Sequence, residues 1–120
     1  MDLELALFEA DHGDPARALD LAEAAYRTRQ TVRTADALAW ADHRSGRPAD
    51  AARLSAEALR LGSRDPLLLY HAGIIARDAG DAADARADLT AALDLDPGFS
   101  AVGATAARQA LAEVAAAPPP

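Results

Sequence analysis

The chain has 120 residues, 51% of them apolar but only 4% aromatic, and its twelve basic and nineteen acidic residues give a net charge of -7. Every basic residue is arginine and all are dispersed along the sequence. The clustered cations that nucleic acid demands are therefore missing, and no nucleic-acid partner is expected. Cysteine is absent, which excludes disulfides, thiolate catalysis and Cys-based zinc sites.

Ala and Leu dominate while β-branched and aromatic residues are scarce, so tightly packed helices are expected rather than strands. In chain order the patterning predicts helices over 2–12, 15–28, 32–45, 48–61, 66–79, 82–95 and about 99–116. Asp14-Pro15, Arg47-Pro48 and Asp65-Pro66 place a proline in the first turn of three of them, and Asp81 precedes the sixth as an N-cap. Phe99, Val102, Ala106, Ala110 and Val114 are expected to form the apolar face of the last. The tail Pro118-Pro119-Pro120 cannot be helical and is expected to be disordered. No apolar run approaches the roughly 20 residues that span a bilayer, and Met1-Asp2-Leu3-Glu4 lacks the basic start of a signal peptide. No membrane partner is expected, and a cytoplasmic location is the default.

A period runs through these elements. Gly13 and Gly46 are 33 residues apart, and Gly46 and Gly80 are 34 apart. Ala18, Ala51 and Ala85 follow the three glycines at one fixed offset, and Ala25, Ala58 and Ala92 at another. Small residues in register allow two antiparallel helices to approach closely, and each Gly is expected to close a first helix in a left-handed cap. Every unit is therefore a helical hairpin.

These residues resemble the tetratricopeptide repeat family, whose motif runs W-x2-L-G-x2-Y, A-x3-F-x2-A and a closing P. The third copy matches best, with Leu69, Ala72, Gly73, Ala76, Ala85, Leu89, Ala92 and Pro97. The second keeps Leu38, Ala39, Ala51 and Ala58 but has Asp42 at the usual Tyr and Ser55 at the usual Phe. The first keeps Leu5, Ala6, Ala18 and Ala25, with Glu9 at the Tyr. The resemblance implies an all-α fold, a right-handed superhelical stack of antiparallel hairpins (a TPR-like α-solenoid) of about seven helices. It would form a single domain over 1–117, with repeats at about 1–31, 32–65 and 66–99 and a capping helix at 99–116.

In that family the first helix of each repeat lines a concave groove. Carried over position by position, the groove would comprise Leu3, Leu7, Ala10 and Asp11 from the first repeat, and Arg33, Asp36, Trp40, His43 and Arg44 from the second. The third would supply Leu67, Tyr70, Ile74, Arg77 and Asp78. Aromatic and aliphatic anchors beside cations suit a peptide with apolar side chains and a carboxylate. Trp40, Tyr70 and Ile74 have an alternative role as packing between first helices. Leu3, Leu7 and Ala37 stand where the family's chaperone-binding members carry clamp residues, so capture of a chaperone is not expected.

Catalytic candidates are weak. His12, His43 and His71 show no HxxxH or HxxE spacing, and are expected at surfaces or helix ends rather than on a metal. Ser45, Ser55, Ser63 and Ser100 lack a nucleophile elbow. Asp81, Asp84 and Asp88 suit the electropositive start of a helix. The sequence thus reads as a non-catalytic protein–protein interaction scaffold with no cofactor and no metal, binding a peptide or partner domain in its groove. The alternative is a structural or self-association segment of a larger repeat protein, hence a possible homo-oligomer, and a metal enzyme built on the Asp-His pairs ranks last.

Overall fold

A computed structural model describes residues 3–60 and 64–116, the last by its backbone alone, and seven helices account for most of them. The chain divides into two compact units, Met1–Ser63 and Arg64–Pro120. The expectations placed on Asp2, Leu61, Ser63 and the proline tail lie outside the described residues.

The first unit holds α1 (Leu3–His12), α2 (Pro15–Thr28), α3 (Val32–Arg44) and α4 (Pro48–Arg60). Helices α1 and α2 form one hairpin and α3 and α4 another, and α3 also packs on α1 and α2. That placement covers α3 on every side, so Thr34 through Asp42 are all buried. Small side chains make it possible: Ala18, Ala22, Ala35, Ala39 and Ala51 are completely enclosed. Leu54 of α4 is the largest side chain fully buried in this unit.

Helix ends follow from local chemistry. Asp14 Oδ1 accepts the amide of Ala16 at 3.0 Å and Pro15 fixes the first turn of α2. At α3 the cap is reciprocal: Thr31 Oγ1 accepts from the amide of Thr34 at 3.1 Å, and Thr34 Oγ1 accepts from that of Thr31 at 2.8 Å. Gly46 and Gly80 take the expected left-handed conformation, with φ of +76° and +87°. Gly13 does not. There the Glu9 carboxylate folds back, accepting the amide of Asp14 at 2.9 Å and pairing with Arg17 at 3.7 Å, so the side chain closes the turn.

In the second unit α5 (Pro66–Asp78) and α6 (Ala82–Leu95) form the third hairpin, and α7 (Ala101–Ala116) packs on both. Asp65 caps α5 through the amide of Leu67 at 2.8 Å, and Asp81 caps α6 through that of Asp84 at 3.1 Å. The hairpin closes on Gly73, where a Cβ would stand 2.5 Å from Cγ of the enclosed Leu89.

Helix α7 begins two residues later than expected. Ser100 Oγ accepts the amide of Gly103 at 2.9 Å and sets the start at Ala101, while Phe99 stays outside and its ring meets Tyr70 at 5.6 Å. The buried face is therefore Gly103, Ala107, Ala110 and Val114, with Ala104 beside it, and Val102 is 71% exposed. Phe99 is not the first helical anchor, so Val102, expected on the apolar face, faces solvent.

The close packing makes a directional prediction. Ala85 is fully enclosed and Ala87 is exposed. Ala85→Leu should lower stability by about 1–3 kcal/mol through overpacking, Gly73→Ala should act in the same direction, and Ala87→Leu should leave the melting temperature nearly unchanged. Equal melting curves for Ala85→Leu and Ala87→Leu would refute the register.

Candidate partner-binding surfaces

The groove-lining positions fall into two groups within the first unit. Leu3, Leu7 and His43 are half-buried and Arg33 and Arg44 are exposed. Asp36 and Trp40 are buried, and Ala10 with them. The sole tryptophan is only 3% exposed. Its indole Nε1 donates to Asp11 Oδ1 at 2.8 Å, and its ring stacks on His43 at 4.9 Å. Trp40 is thus a core ring, held by its bond to Asp11 and its stacking on His43. Arg44 Nε donates to the carbonyl of Ala10 at 2.8 Å and Ser45 Oγ to that of Pro15 at 3.3 Å. These three bonds join the end of α3 to the turn between α1 and α2, so Asp11 and Arg44 serve the hairpin contact.

In the second unit Leu67 is exposed, Tyr70 and Arg77 are half-buried, Ile74 is buried and Asp78 is exposed. Like Trp40, Ile74 belongs to the interior. Arg77 Nε donates to Asp78 Oδ1 at 2.9 Å and its Nη1 to Glu113 Oε2 at 3.3 Å. Two carboxylates thereby neutralise this guanidinium, which limits its action on a distant partner. Arg77, Gly80, Ala82, Glu113 and Val114 line a cleft of about 270 Å³, near the lower end of small-ligand pockets.

The histidines do not converge. His12 is exposed and its ring lies 5.4 Å from Phe8, His43 stacks on Trp40, and His71 is fully buried on α5. The burial of His71 departs from the expected surface position, since it sits beside Ala72 and Gly73 where the hairpin is tightest. No group of three or more potential ligands gathers to hold a metal among the described residues.

Asp42, at the ring position of the repeat, is 3% exposed. Burial pushes its carboxyl up to about 6, Asp50 adds to the effect, and Arg47 opposes it. Asp88, half-buried on α6, is likewise pushed up to about 6 by burial and by the charges of Asp84 and Asp81. Asp84 is itself raised by its hydrogen bond with Asp81. The Tyr26 phenol, which donates to Glu57 Oε2 at 2.7 Å, is raised by that bond.

No protein-family model matches the chain, and no curated protein matches it. Among solved structures it is similar to the type III secretion translocator chaperone SycD of Yersinia enterocolitica, with a TM-score of 0.73 at 19% identity, covering 94% of this chain and 80% of that one. A second structure of SycD, in complex with a peptide of the translocator YopD, gives a TM-score of 0.71 at the same identity, covering 94% of this chain and 88% of that one. The class established is an all-α fold of TPR-like helical hairpins.

Two outcomes follow from these surroundings. The folded state holds a proton on Asp42 more tightly than the unfolded chain, whose carboxyl titrates near 3.8. Its contribution to stability is therefore present at low pH and lost as the pH rises through about 6, by at most about 3 kcal/mol. Urea midpoints should fall between pH 5 and pH 7, with Asp88 adding to the slope, and Asp42→Leu should reduce that slope and stabilise the protein at neutral pH by about 1 kcal/mol or more. An unaltered slope in the variant would count against the buried carboxyl. Second, Trp40 should emit as a buried indole, and Trp40→Ala should lower stability by about 3–5 kcal/mol, read by chemical denaturation.

Proposed function

We propose that this chain is a non-catalytic scaffold whose first helices bind a peptide or partner segment through half-buried apolar side chains. The observation that carries the reading is the likeness, at a TM-score of 0.71, to a TPR-like chaperone solved with a translocator peptide. It is supported by what the first helices expose. Leu3 and Leu7 on α1, and Leu67 and Tyr70 on α5, offer apolar surface, with Arg33 and His43 as polar neighbours. Trp40 and Ile74 are buried and offer no contact surface.

An extended peptide with spaced apolar side chains gains affinity where its anchors displace water from such partly covered leucine and tyrosine surfaces. The chain's own contribution is rigidity: Thr34 through Asp42 of α3 are buried, so the exposed Arg33 and Arg44 at its ends are presented from a packed backbone. A second reading, self-association, is favoured by Phe8, which is 57% exposed on α1 and would be covered by another copy.

Titration of fluorescent peptides carrying two or three leucines should give saturable binding. Tyr70→Ala and Leu7→Ala should each weaken it by about 1–2 kcal/mol without altering the circular dichroism spectrum. Binding that ignores both substitutions would overturn the proposal. Sedimentation showing concentration-dependent dimers, lost in Phe8→Ser, would favour self-association instead.

A further inference from the structure

The acidic chain carries one end at which cations collect. Arg29 is the C-cap residue of α2, Arg33 stands in the first turn of α3, and Arg60 ends α4. Because α3 and α4 are antiparallel helices of 13 residues each, the start of one lies beside the end of the other. The bond from Tyr26 Oη to Glu57 Oε2, 2.7 Å long, ties the last turns of α2 and α4 together. Arg60 follows Glu57 by three residues and so shares its face of α4, while Arg29 follows Tyr26 by three at the end of α2. Arg27, 72% exposed at its side chain, completes the set.

The acids at this end are largely committed. Among the described residues Glu23 pairs with Arg27 at 3.9 Å, Glu57 accepts from Tyr26, Asp36 is buried on α3 one turn after Arg33, and Glu4 stands exposed at the start of α1. Arg29, Arg33 and Arg60 are exposed and have no carboxylate partner among the described residues. Helix C-termini favour cations, which accounts for Arg29 and Arg60. The same macrodipole disfavours Arg33 at the N-terminal end of α3.

We propose that this end of the first unit, built on Arg29, Arg33 and Arg60, is a docking surface for an acidic polypeptide segment. Charge complementarity selects that occupant. Free guanidinium groups bind carboxylates with fork geometry, and three within one helical-hairpin end match a short run of Glu or Asp. A nucleic acid fits less well, because a long polyanion would extend onto the rest of a chain of net charge -7. Only Arg33 is also a groove-lining position, and the surface needs no apolar anchor, so it goes beyond the leucine-and-tyrosine reading above.

The test is fluorescence anisotropy with a labelled oligoglutamate peptide, using the whole chain at low and at physiological salt. Saturable binding is expected, weakening as salt rises. Arg33→Glu and Arg60→Glu should each lower affinity by about tenfold or more, and Arg29→Glu likewise, as expected when charges facing a ligand are reversed. Arg86→Glu, on the exposed face of α6, changes the net charge equally and should shift affinity by no more than about twofold. The proposal is overturned if oligoglutamate does not bind at low salt, if Arg86→Glu weakens binding as much as the other three, or if single-stranded DNA binds more tightly than the peptide. Because the probe has no leucine, these results stand apart from those of the apolar-peptide titration.

Discussion

Close approach of helices at small side chains is the constraint from which the remaining features of each unit follow. With Ala18, Ala22, Ala51, Ala85 and Ala92 completely enclosed, paired helices pack with little side-chain volume between them. Apolar area per residue is then small, so stability rests on many close contacts rather than a few large ones. The few bulky groups become disproportionately important. Leu54 and Leu89 are fully buried, and Trp40 is the largest of the buried side chains in its unit. A tryptophan enclosed in this way needs a partner for its N–H, and Asp11 supplies it from one repeat earlier in the chain.

The same closeness explains why buried polarity concentrates on α3. A helix covered by three others has no solvent-facing side on which to place polar residues, so Thr34, Asp36 and Asp42 are enclosed with the alanines. Thr34 is satisfied by the reciprocal cap with Thr31 and by donating to the carbonyl of Arg29 at 2.7 Å. Asp42 has no comparable arrangement and responds by holding its proton more tightly. Its cost is electrostatic and local, set by the motif position at which a ring would have been neutral at every pH.

Much of this was legible in the sequence because the period repeats local chemistry. The glycine register, the alanines at fixed offsets and the Asp caps at Asp14, Asp65 and Asp81 gave helix boundaries within two residues for the described helices. What the period could not convey was context outside the repeat. Glu9 turns back to close α1, so Gly13 needs no left-handed conformation. The Thr31–Thr34 cap escaped notice because a threonine stands where a glutamate would have signalled it. Ser100 started α7 after Phe99 and so rotated the expected apolar face. Among the groove residues, Leu3, Leu7, Arg33, Leu67 and Tyr70 are accessible while Trp40 and Ile74 are not, a division that depends on packing volume rather than spacing.

Exposure and charge together define how such a scaffold divides its work. The enclosed residues fix backbone positions, and the accessible ones are too few to bury a large interface by themselves. A partner held only by scattered leucines and one tyrosine would bind weakly, because each side chain already has half of its surface covered. Charge at the end of the first unit addresses a different step. On the proposed docking reading, exposed arginines with no carboxylate partner among the described residues would orient an acidic segment before apolar contacts form. On that reading orientation and anchoring would fall to different residues within the first unit, Arg29 and Arg60 for the first and Leu3 and Leu7 for the second. Salt concentration would tune the rate of encounter while the packed alanine core holds the contact geometry unchanged.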